Sequence, residues 1–551
     1  MRRAADLLVD CLRAHGADRI FCVPGESYLE LLDALLDAPD IDTVVCRHEG
    51  GAGFMAVADA KITGRPGVAA VSRGPGATNA SIAAHVAEQD AVPLILLVGQ
   101  VARHERGRGA FQEVDYAQMF GGIAKAIWEV HDAARLPEVV ARAWHAAQAG
   151  TPGPAIIALP EDMLRDRTDA AVIAPHPVVR ASPGAAVIDA VIERLEAAER
   201  PLLIAGGLLT GADGRVALAQ AAEAHRLPVA LTFKHQEIFD NGSPLYAGYL
   251  GFKVPKPQIE ALAETDLVLA VGTRLGDTPT QGYTFPEAPT PRQPLVHVYP
   301  DPRVIGQVYR SAIGITCDPA AFLSALAGRN AAVRGGRDDW CAQLHTVARE
   351  VAGYRPIPRT DGVDFGAVVA ELAAQAPREA AITTDAGNFS SWVHVLWPWD
   401  GTQTCIGSVG GAMGMGVPGA VAACLRTPEQ TVLAFCGDGG ILMTGNELAT
   451  AVAKGVKPKV VISNNRSYGT IRLHQERDHP RRVAATDLVN PDFAAWGRSF
   501  GALGLTVRKP EDVAGAVAEA LAHDGPVVID VHSSLEAISA YTTITKLRGE
   551  G

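Results

Sequence analysis

A chain of 551 residues is too long for one hydrophobic core, and roughly three domains of ordinary size accommodate it. Its hydrophobic fraction of 48% and charged fraction of 20% are those of a globular protein, and a net charge of −12 with no basic run longer than a pair such as Arg2-Arg3 argues against a general nucleic-acid binder. The longest apolar run, Ala91 to Val98, is far short of the roughly 20 residues that a membrane span needs.

Strand and helix signals alternate from the amino terminus. Ala4 to His15 reads as a helix ended by Gly16. Arg19-Ile-Phe-Cys-Val reads as a strand closing on Pro24-Gly25-Glu26, with Ser27 as the N-cap of a helix from Tyr28 to Leu36. Asp42-Thr-Val-Val-Cys is a second strand, leading into Arg47-His48-Glu49 and a small-residue helix from Gly50 to Thr63. Gly67 to Val71 is a third, ending at Gly74-Pro75-Gly76-Ala77-Thr78-Asn79, and Pro93 to Val98 and Ala155 to Leu159 follow. This alternation predicts a parallel, doubly wound α/β sheet.

The Pro-rich stretch Ala174 to Pro183 reads as a linker. A second α/β unit has strands at Pro201 to Ala205, Pro228 to Thr232, Asp266 to Val271 and Leu295 to Tyr299. A loose stretch from about Arg329 to Asp361 contains Gly335-Gly336. A third unit starts near Phe365, with strands at Ala380 to Thr384, Thr431 to Phe435, Val460 to Ser463 and Val527 to Val531. The expected fold is therefore three doubly wound parallel-sheet domains, spanning 1–170, 185–330 and 360–545. The eight cysteines are scattered with no C-x-x-C pair, which predicts buried free thiols in a reducing compartment. Charges interrupt the apolar residues of the amino terminus, so no signal peptide is read there and the expected location is cytoplasmic.

The densest chemical signal lies at 431–469. A buried strand ends in Gly437-Asp438-Gly439-Gly440, a helix is expected over Leu442 to Lys454, and a second strand ends in Asn464-Asn465. Gly-Asp-Gly alone suits a tight turn with a solvated aspartate. The turn and the Asn pair, however, fall at the carboxyl ends of two strands, the edge where open α/β sheets bind ligands. Free amides after the glycines suit a phosphate. Asp438 and Asn465 each offer a hard oxygen, which suits Mg²⁺ sharing phosphate oxygens and water.

Glu49 stands at another strand's carboxyl end, among small apolar neighbours. A carboxylate there stabilises a helix start. Desolvation would also raise its pKa and fit it to exchange a proton with a cofactor nitrogen.

Residues 1–545 resemble the acetolactate synthase and pyruvate oxidase branch of thiamine diphosphate (ThDP) enzymes. The matching stretches are Phe21-Cys-Val-Pro-Gly-Glu, Arg47-His-Glu, Gly74-Pro-Gly-Ala-Thr-Asn, Ala110-Phe-Gln-Glu, Gly272-Thr-Arg-Leu-Gly-Asp, Asp385-Ala-Gly-Asn, Gly411-Ala-Met-Gly-Met-Gly-Val-Pro and the 431–469 signature. The resemblance implies a pyrimidine-binding, a central and a diphosphate-binding domain, in that order. It implies ThDP and Mg²⁺ as cofactors, and a homodimer or homotetramer with active sites at the subunit interface. Glu49 would hydrogen-bond the aminopyrimidine, and Met413 would hold the cofactor bent. Asn79, Ala386, Gly387, Asn388, Gly411, Gly437, Gly439, Gly440, Tyr468 and Gly469 would line the cofactor, with Asp438, Asn465 and the Ser467 carbonyl on the metal. Gly25, Phe111, Gln112, Thr470, Ile471 and His474 would border the substrate, with Gln112 and Glu26 as candidate catalytic groups.

Two positions depart from acetolactate synthases. Glu26 stands where they resemble Pro-Gly-Gly; decarboxylases of the family carry an acidic residue there, together with a His-His pair that this chain lacks. Thr278 stands where they resemble each other in an arginine facing the substrate entrance. Flavin contacts are not legible: Arg274 and Asp301 suit a nucleotide and ordinary strand-end roles alike, which leaves FAD open. The expected activity is decarboxylation of a 2-keto acid with ligation to a second carbonyl. The alternatives are a non-ligating decarboxylase or a C–C lyase, including one acting on a 2-hydroxyacyl-CoA substrate. A hypothesis of another class is a catalytically silent nucleotide-binding subunit.

Overall fold

The computed structural model describes residues 1–332, 335–354 and 359–550. They form three six-stranded parallel sheets flanked by helices. The first sheet contains, in chain order, Arg19–Cys22, Asp42–Val45, Gly67–Val71, Leu94–Gln100, Ala126–Glu129 and Pro154–Pro160. The third contains Ala381–Thr384, Thr404–Gly407, Val432–Gly437, Lys459–Ser463, Leu503–Val507 and Val527–Val531. Numbered along the chain, both run in spatial order 2-1-3-4-6-5. The central sheet, from Pro201–Ala205 to Ile313–Thr316, runs 3-2-1-4-5-6.

These orders decide where a ligand can sit. In a doubly wound sheet the crevice opens where neighbouring strands send their connections to opposite faces. In the first sheet this point lies between Arg19–Cys22 and Gly67–Val71, and in the third between Ala381–Thr384 and Val432–Gly437. The loops at those points carry Pro24-Gly25-Glu26 and Gly74-Pro75-Gly76 in one domain, and 385–388 and 437–440 in the other.

Strands buried on both faces were the easiest to read, because they are continuous apolar runs. Leu94–Gln100 and Pro154–Pro160 are buried at every position. The edge strand Ala126–Glu129 differs: it is half-buried throughout and gives no such run. The helix expected over Leu442 to Lys454 is instead an α-helix Asp438–Thr444, a 3₁₀ turn Gly445–Glu447 and a second helix Leu448–Ala453. Ser27 is not an N-cap. It lies inside the 3₁₀ turn Glu26–Tyr28, and its hydroxyl accepts from the Arg73 amide at 3.1 Å.

Part of the stretch read as loose is the helix Arg337–Val351. Trp340, Cys341, Leu344 and Ala348 are buried on one side of it. The buried Arg337 guanidinium donates to the carbonyls of His225 and Leu195, at 2.9 and 2.6 Å, closing this helix onto the central domain. Its charged first turn and the preceding Gly pair hide the apolar face from a sequence reading.

The first and third domains of one chain share a core. Helix Glu49–Thr63 packs on helix Gly416–Arg426, and one cluster includes Phe54, Met55, Met415 and Ala420. Arg426 reaches across to Asp59 and Asp18, at 2.8 and 2.6 Å.

Candidate active site

The strand Val432–Gly437 delivers Asp438 to the first position of its helix. Asp438 is almost wholly buried. Its Oδ2 accepts from the Asn490 side chain at 2.8 Å and its Oδ1 from the Gly439 amide at 3.0 Å. Burial pushes its carboxyl up to about 6. A carboxylate desolvated in this way favours a cation beside it. Gly437, Gly439 and Gly440 do not adopt left-handed backbone. The glycines are required by close approach: a β-carbon on Gly439 would lie 2.5 Å from the Tyr468 ring, and one on Gly440 would strike the Asp385 carboxylate. The aspartate of this turn is therefore buried rather than solvated.

Asn464 and Asn465 face different ways. Asn464 is buried, donates to Asp530 at 2.9 Å and accepts from Asn490 at 2.9 Å. Asn465 is half-buried; its Oδ1 accepts from the Ser467 amide at 3.0 Å and keeps a lone pair free. Asn388 closes the same corner, its amide donating to Thr470 Oγ1 at 2.9 Å. A β-carbon on Gly469 would lie 2.9 Å from Asn388 Oδ1 and 3.1 Å from Asn465 Nδ2. The structure thus brings Asp438–Gly440, Asn465–Thr470 and Gly387–Asn388 to one rim.

Asp385, quoted in a motif but given no role, organises this rim. Its Oδ1 accepts from the Ala386 amide at 2.8 Å and from the Gly414 amide at 2.6 Å. It therefore ties the 386–388 loop to the loop carrying Gly411 and Met413, and burial pushes its carboxyl up to about 6. Met413 is half-buried, unlike its neighbour Met415, which belongs to the core.

In the first domain, Glu49 opens its helix and is half-buried. Its Oε2 accepts from Asn79 at 2.9 Å, and a β-carbon on Gly76 would lie 3.4 Å from its Oε1. Gly74, at φ +54°, packs so tightly on Gln112 that a β-carbon would meet the Gln112 carbonyl at 2.8 Å. Gln112 itself is held at φ +65°, an uncommon backbone for a residue with a side chain. Gly25 packs on Ser72, and Glu26 is exposed at the same edge, its carbonyl accepting from the Leu29 amide and its carboxylate reaching no hydrogen-bond partner among the described residues. Phe111, Ile471 and His474 are exposed as well. Among the described residues, no hydrogen bond or ion pair joins the Glu49 set to the Asp438 set within the chain.

The rim can accept a diphosphate with a metal. Among the described residues no cluster of three or more His, Cys, Asp or Glu could hold a metal by itself. One carboxylate, one amide oxygen and one backbone carbonyl, at Asp438, Asn465 and Ser467, suit Mg²⁺ when phosphate oxygens complete its shell.

In the central domain, the two residues that suit a nucleotide already have protein partners. Arg274 is engaged by Glu88, with 2.7 Å to its carbonyl, and Asp301 by Arg303 and Thr151, at 2.7 and 3.2 Å. At the turn after the first central strand, the His235 ring lies where a β-carbon on Gly207 would come within 2.5 Å. Both nucleotide candidates instead tie the central domain to the first.

Comparison with known proteins agrees with this arrangement. Three thiamine pyrophosphate enzyme families match in succession: the N-terminal TPP binding domain over residues 2–119, the central domain over 188–326 and the C-terminal TPP binding domain over 385–531. The acetolactate synthase large subunit of Parasynechococcus marenigrum (strain WH8102) is 34% identical over 547 residues, covering 96% of this chain and 87% of that protein. The acetolactate synthase isozyme 2 large subunit of Escherichia coli (strain K12) is 30% identical, covering 96% and 95%. The large subunit of Lactococcus lactis subsp. lactis (strain IL1403) is also 30% identical, covering 96% and 92%. With three matched domains and relatives alike along nearly their whole length, the chain belongs to the thiamine pyrophosphate enzymes, in the branch that contains the acetolactate synthase large subunits.

Proposed function

We propose that this protein is a ThDP- and Mg²⁺-dependent carboligase of the acetolactate synthase type, which decarboxylates a 2-keto acid and joins the remaining carbons to a second carbonyl compound. The observation that carries the reading is the meeting of Asp438, Asn465 and the 386–388 loop at the third sheet's switch point, with Glu49, which follows the edge strand Asp42–Val45, reaching Gly76 and Asn79 beside the equivalent point of the first.

When bound, ThDP supplies a thiazolium electron sink for the charge left by departing CO₂. The chain's own residues bind and orient. Asp438, Asn465 and the Ser467 carbonyl would hold the metal, and Gly440 and the 386–388 loop would face the diphosphate. Met413 would brace the cofactor, and Glu49, steadied by Asn79, would serve as the proton-exchanging group beside the aminopyrimidine. Gln112 and Phe111 border the substrate, and Glu26 offers a carboxyl to it.

Each half-site carries exposed apolar side chains: Phe111 at 75% in the first domain, and Leu442, Met443 and Ile471 at 51, 46 and 53% in the third. Exposed apolar groups rimmed by a polar site suit a protein–protein contact. We read them as the contact in which one chain's first domain meets its partner's third, giving a homodimer as the least active unit and a homotetramer as a pair of dimers. All eight cysteines are buried and free, which suits a cytoplasmic setting. No described helix is long and apolar enough to cross a membrane.

The relatives favour ligation over a non-ligating decarboxylase or lyase. Retention of both Glu49 and Asp438 speaks against a silent subunit. Calorimetry of ThDP with Mg²⁺, followed by product identification from a panel of 2-keto acids with and without acceptor carbonyls, tests the reading. Absence of ThDP binding would overturn it, and release of free aldehyde alone would replace ligation with simple decarboxylation.

A further inference from the structure

Glu447 lies in the 3₁₀ turn Gly445–Glu447 of the third domain, yet its carboxylate is built into the first. It is fully buried. Its Oε1 accepts from the amides of Arg47 and His48, both at 3.0 Å, and its Oε2 from Arg47 at 3.2 Å and Thr450 Oγ1 at 2.6 Å. The two amides immediately precede Glu49 and lie ahead of its helix, so no helical carbonyl can satisfy them. Gly51, in the first turn, presses against the same carboxylate, where any β-carbon would strike Oε1. His48 Nδ1 completes the cap by accepting from Gly50 at 3.0 Å.

The residues on both sides of Glu49 are therefore fixed by one side chain 400 positions away. Burial pushes the Glu447 carboxyl above its ordinary range, while the amides and the Thr450 hydroxyl pull it back. A group this costly to desolvate is an unusual choice for a simple tie. Other ties between the same domains stand elsewhere, such as Lys454 on Asp42 at 2.6 Å.

We infer that Glu447 is a positioning residue for Glu49, holding the start of its helix so that the Glu49 carboxylate points at the cofactor ring rather than swinging with a loose loop. The inference rests on the ThDP reading above. Its consequence is a division of labour: the third domain both offers the diphosphate site and, in the same chain, aims the proton-exchanging carboxylate of the first.

The test compares wild type, Glu447→Gln, Gly51→Ala, Lys454→Met and Glu49→Gln. Two readouts are used: amide hydrogen exchange of segment 46–52 in cofactor-free protein, and hydrogen–deuterium exchange at C2 of ThDP bound to holoenzyme. Glu447→Gln should speed amide exchange in 46–52 and slow C2 exchange about tenfold, a loss of the size expected from one charge-assisted hydrogen bond. ThDP affinity should stay unchanged. Gly51→Ala, which displaces the carboxylate from the other side, should reproduce both effects, and Lys454→Met neither. C2 exchange within twofold of wild type in Glu447→Gln or in Gly51→Ala, with only thermal stability lowered, would overturn the inference and leave Glu447 a domain tie. Glu49→Gln sets the floor: wild-type C2 exchange in that variant would instead overturn the role given to Glu49.

Discussion

Asn490 donates to Asp438 Oδ2 at 2.8 Å, joining a loop 52 residues further along to the carboxylate read as a metal ligand. The same amide nitrogen reaches Asn464 Oδ1 at 2.9 Å, so one side chain sets the orientation of both arms of the Gly-Asp-Gly and Asn-Asn signature. Partners that orient a metal ligand typically carry about 10- to 100-fold in metal affinity. Asn490→Ala should therefore weaken Mg²⁺-dependent ThDP binding by about that factor without unfolding the protein, as read by calorimetry. An unchanged affinity would mean that Asp438 is held well enough by Gly439.

Glu49→Gln should keep the fold and the ThDP affinity and remove roughly 10²- to 10⁴-fold of the turnover, the range of a lost proton-exchange group. Steady-state kinetics beside a circular dichroism melt would check this. Turnover near that of wild type would end the assignment of Glu49 as the proton-exchanging group.

Glu26 is exposed at the first sheet's switch point, beside Gly25 and Ser72. A carboxyl there can donate a proton to a reacting carbon or accept one from an acceptor hydroxyl. Glu26→Gln should shift the ratio of ligated product to released aldehyde, measured by product chromatography at saturating acceptor. Identical ratios and rates would return Glu26 to a surface role at the start of its turn.

Glu476 is buried beneath the carboxyl-terminal segment, accepting from Arg548 at 2.7 and 2.8 Å and from Arg472 at 3.0 Å. The Arg548 side chain, ahead of the other causes, holds this carboxyl down at about 2, against 4.5 for the free group. A carboxyl lowered on folding contributes stability that is complete above about 4.5 and disappears as pH falls toward 2. The docked segment lies against the cofactor loop and the helix after it: Asn388 donates to the Ile538 carbonyl, and the Ala540 amide donates to Ser391 Oγ at 3.0 Å. Glu476→Gln should cost about 3 kcal/mol, the scale of a broken buried pair. Faster amide exchange in 536–550 at neutral pH would report it, as would wild type below about pH 4. Unchanged protection would show that Ile544 and the backbone hold the segment alone.

Leu442→Glu places a charge on the exposed face of the helix Asp438–Thr444. If that face meets a partner's first domain, dimer dissociation should strengthen by at least about tenfold. Sedimentation would read this directly, and ThDP affinity should fall with it. A dimer of unchanged strength would move the interface elsewhere.

Much of the fold was legible because parallel strands buried on both faces are short apolar runs bounded by turns, as at Gly67–Val71, Leu295–Tyr299 and Val527–Val531. Edge strands such as Leu503–Val507 are half-buried and blend into their surroundings. The helix Arg337–Val351 was hidden by its charges, because what draws it to the central sheet is one face rather than its composition. At the site, the residues read from motifs were those within a few positions of a glycine turn. Asp385, Glu447 and Asn490 drew no role, because their work is done across tens to hundreds of residues.

By itself, the sequence determined the chemistry class: Gly437-Asp438-Gly439 and Asn464-Asn465 at their spacing, and Glu49 after its strand, are local patterns, and local patterns survive in one dimension. Only the tertiary structure decided how those groups are held. It put the 385–388 and 437–440 loops side by side at a switch point, and it showed that Gly439 and Gly440 yield space to Tyr468 and Asp385 rather than supplying unusual backbone. It also bound the helix of Glu49 to a carboxylate 400 residues away. Strand order and long-range hydrogen bonds settle such contacts, and neither leaves a periodic trace along the chain.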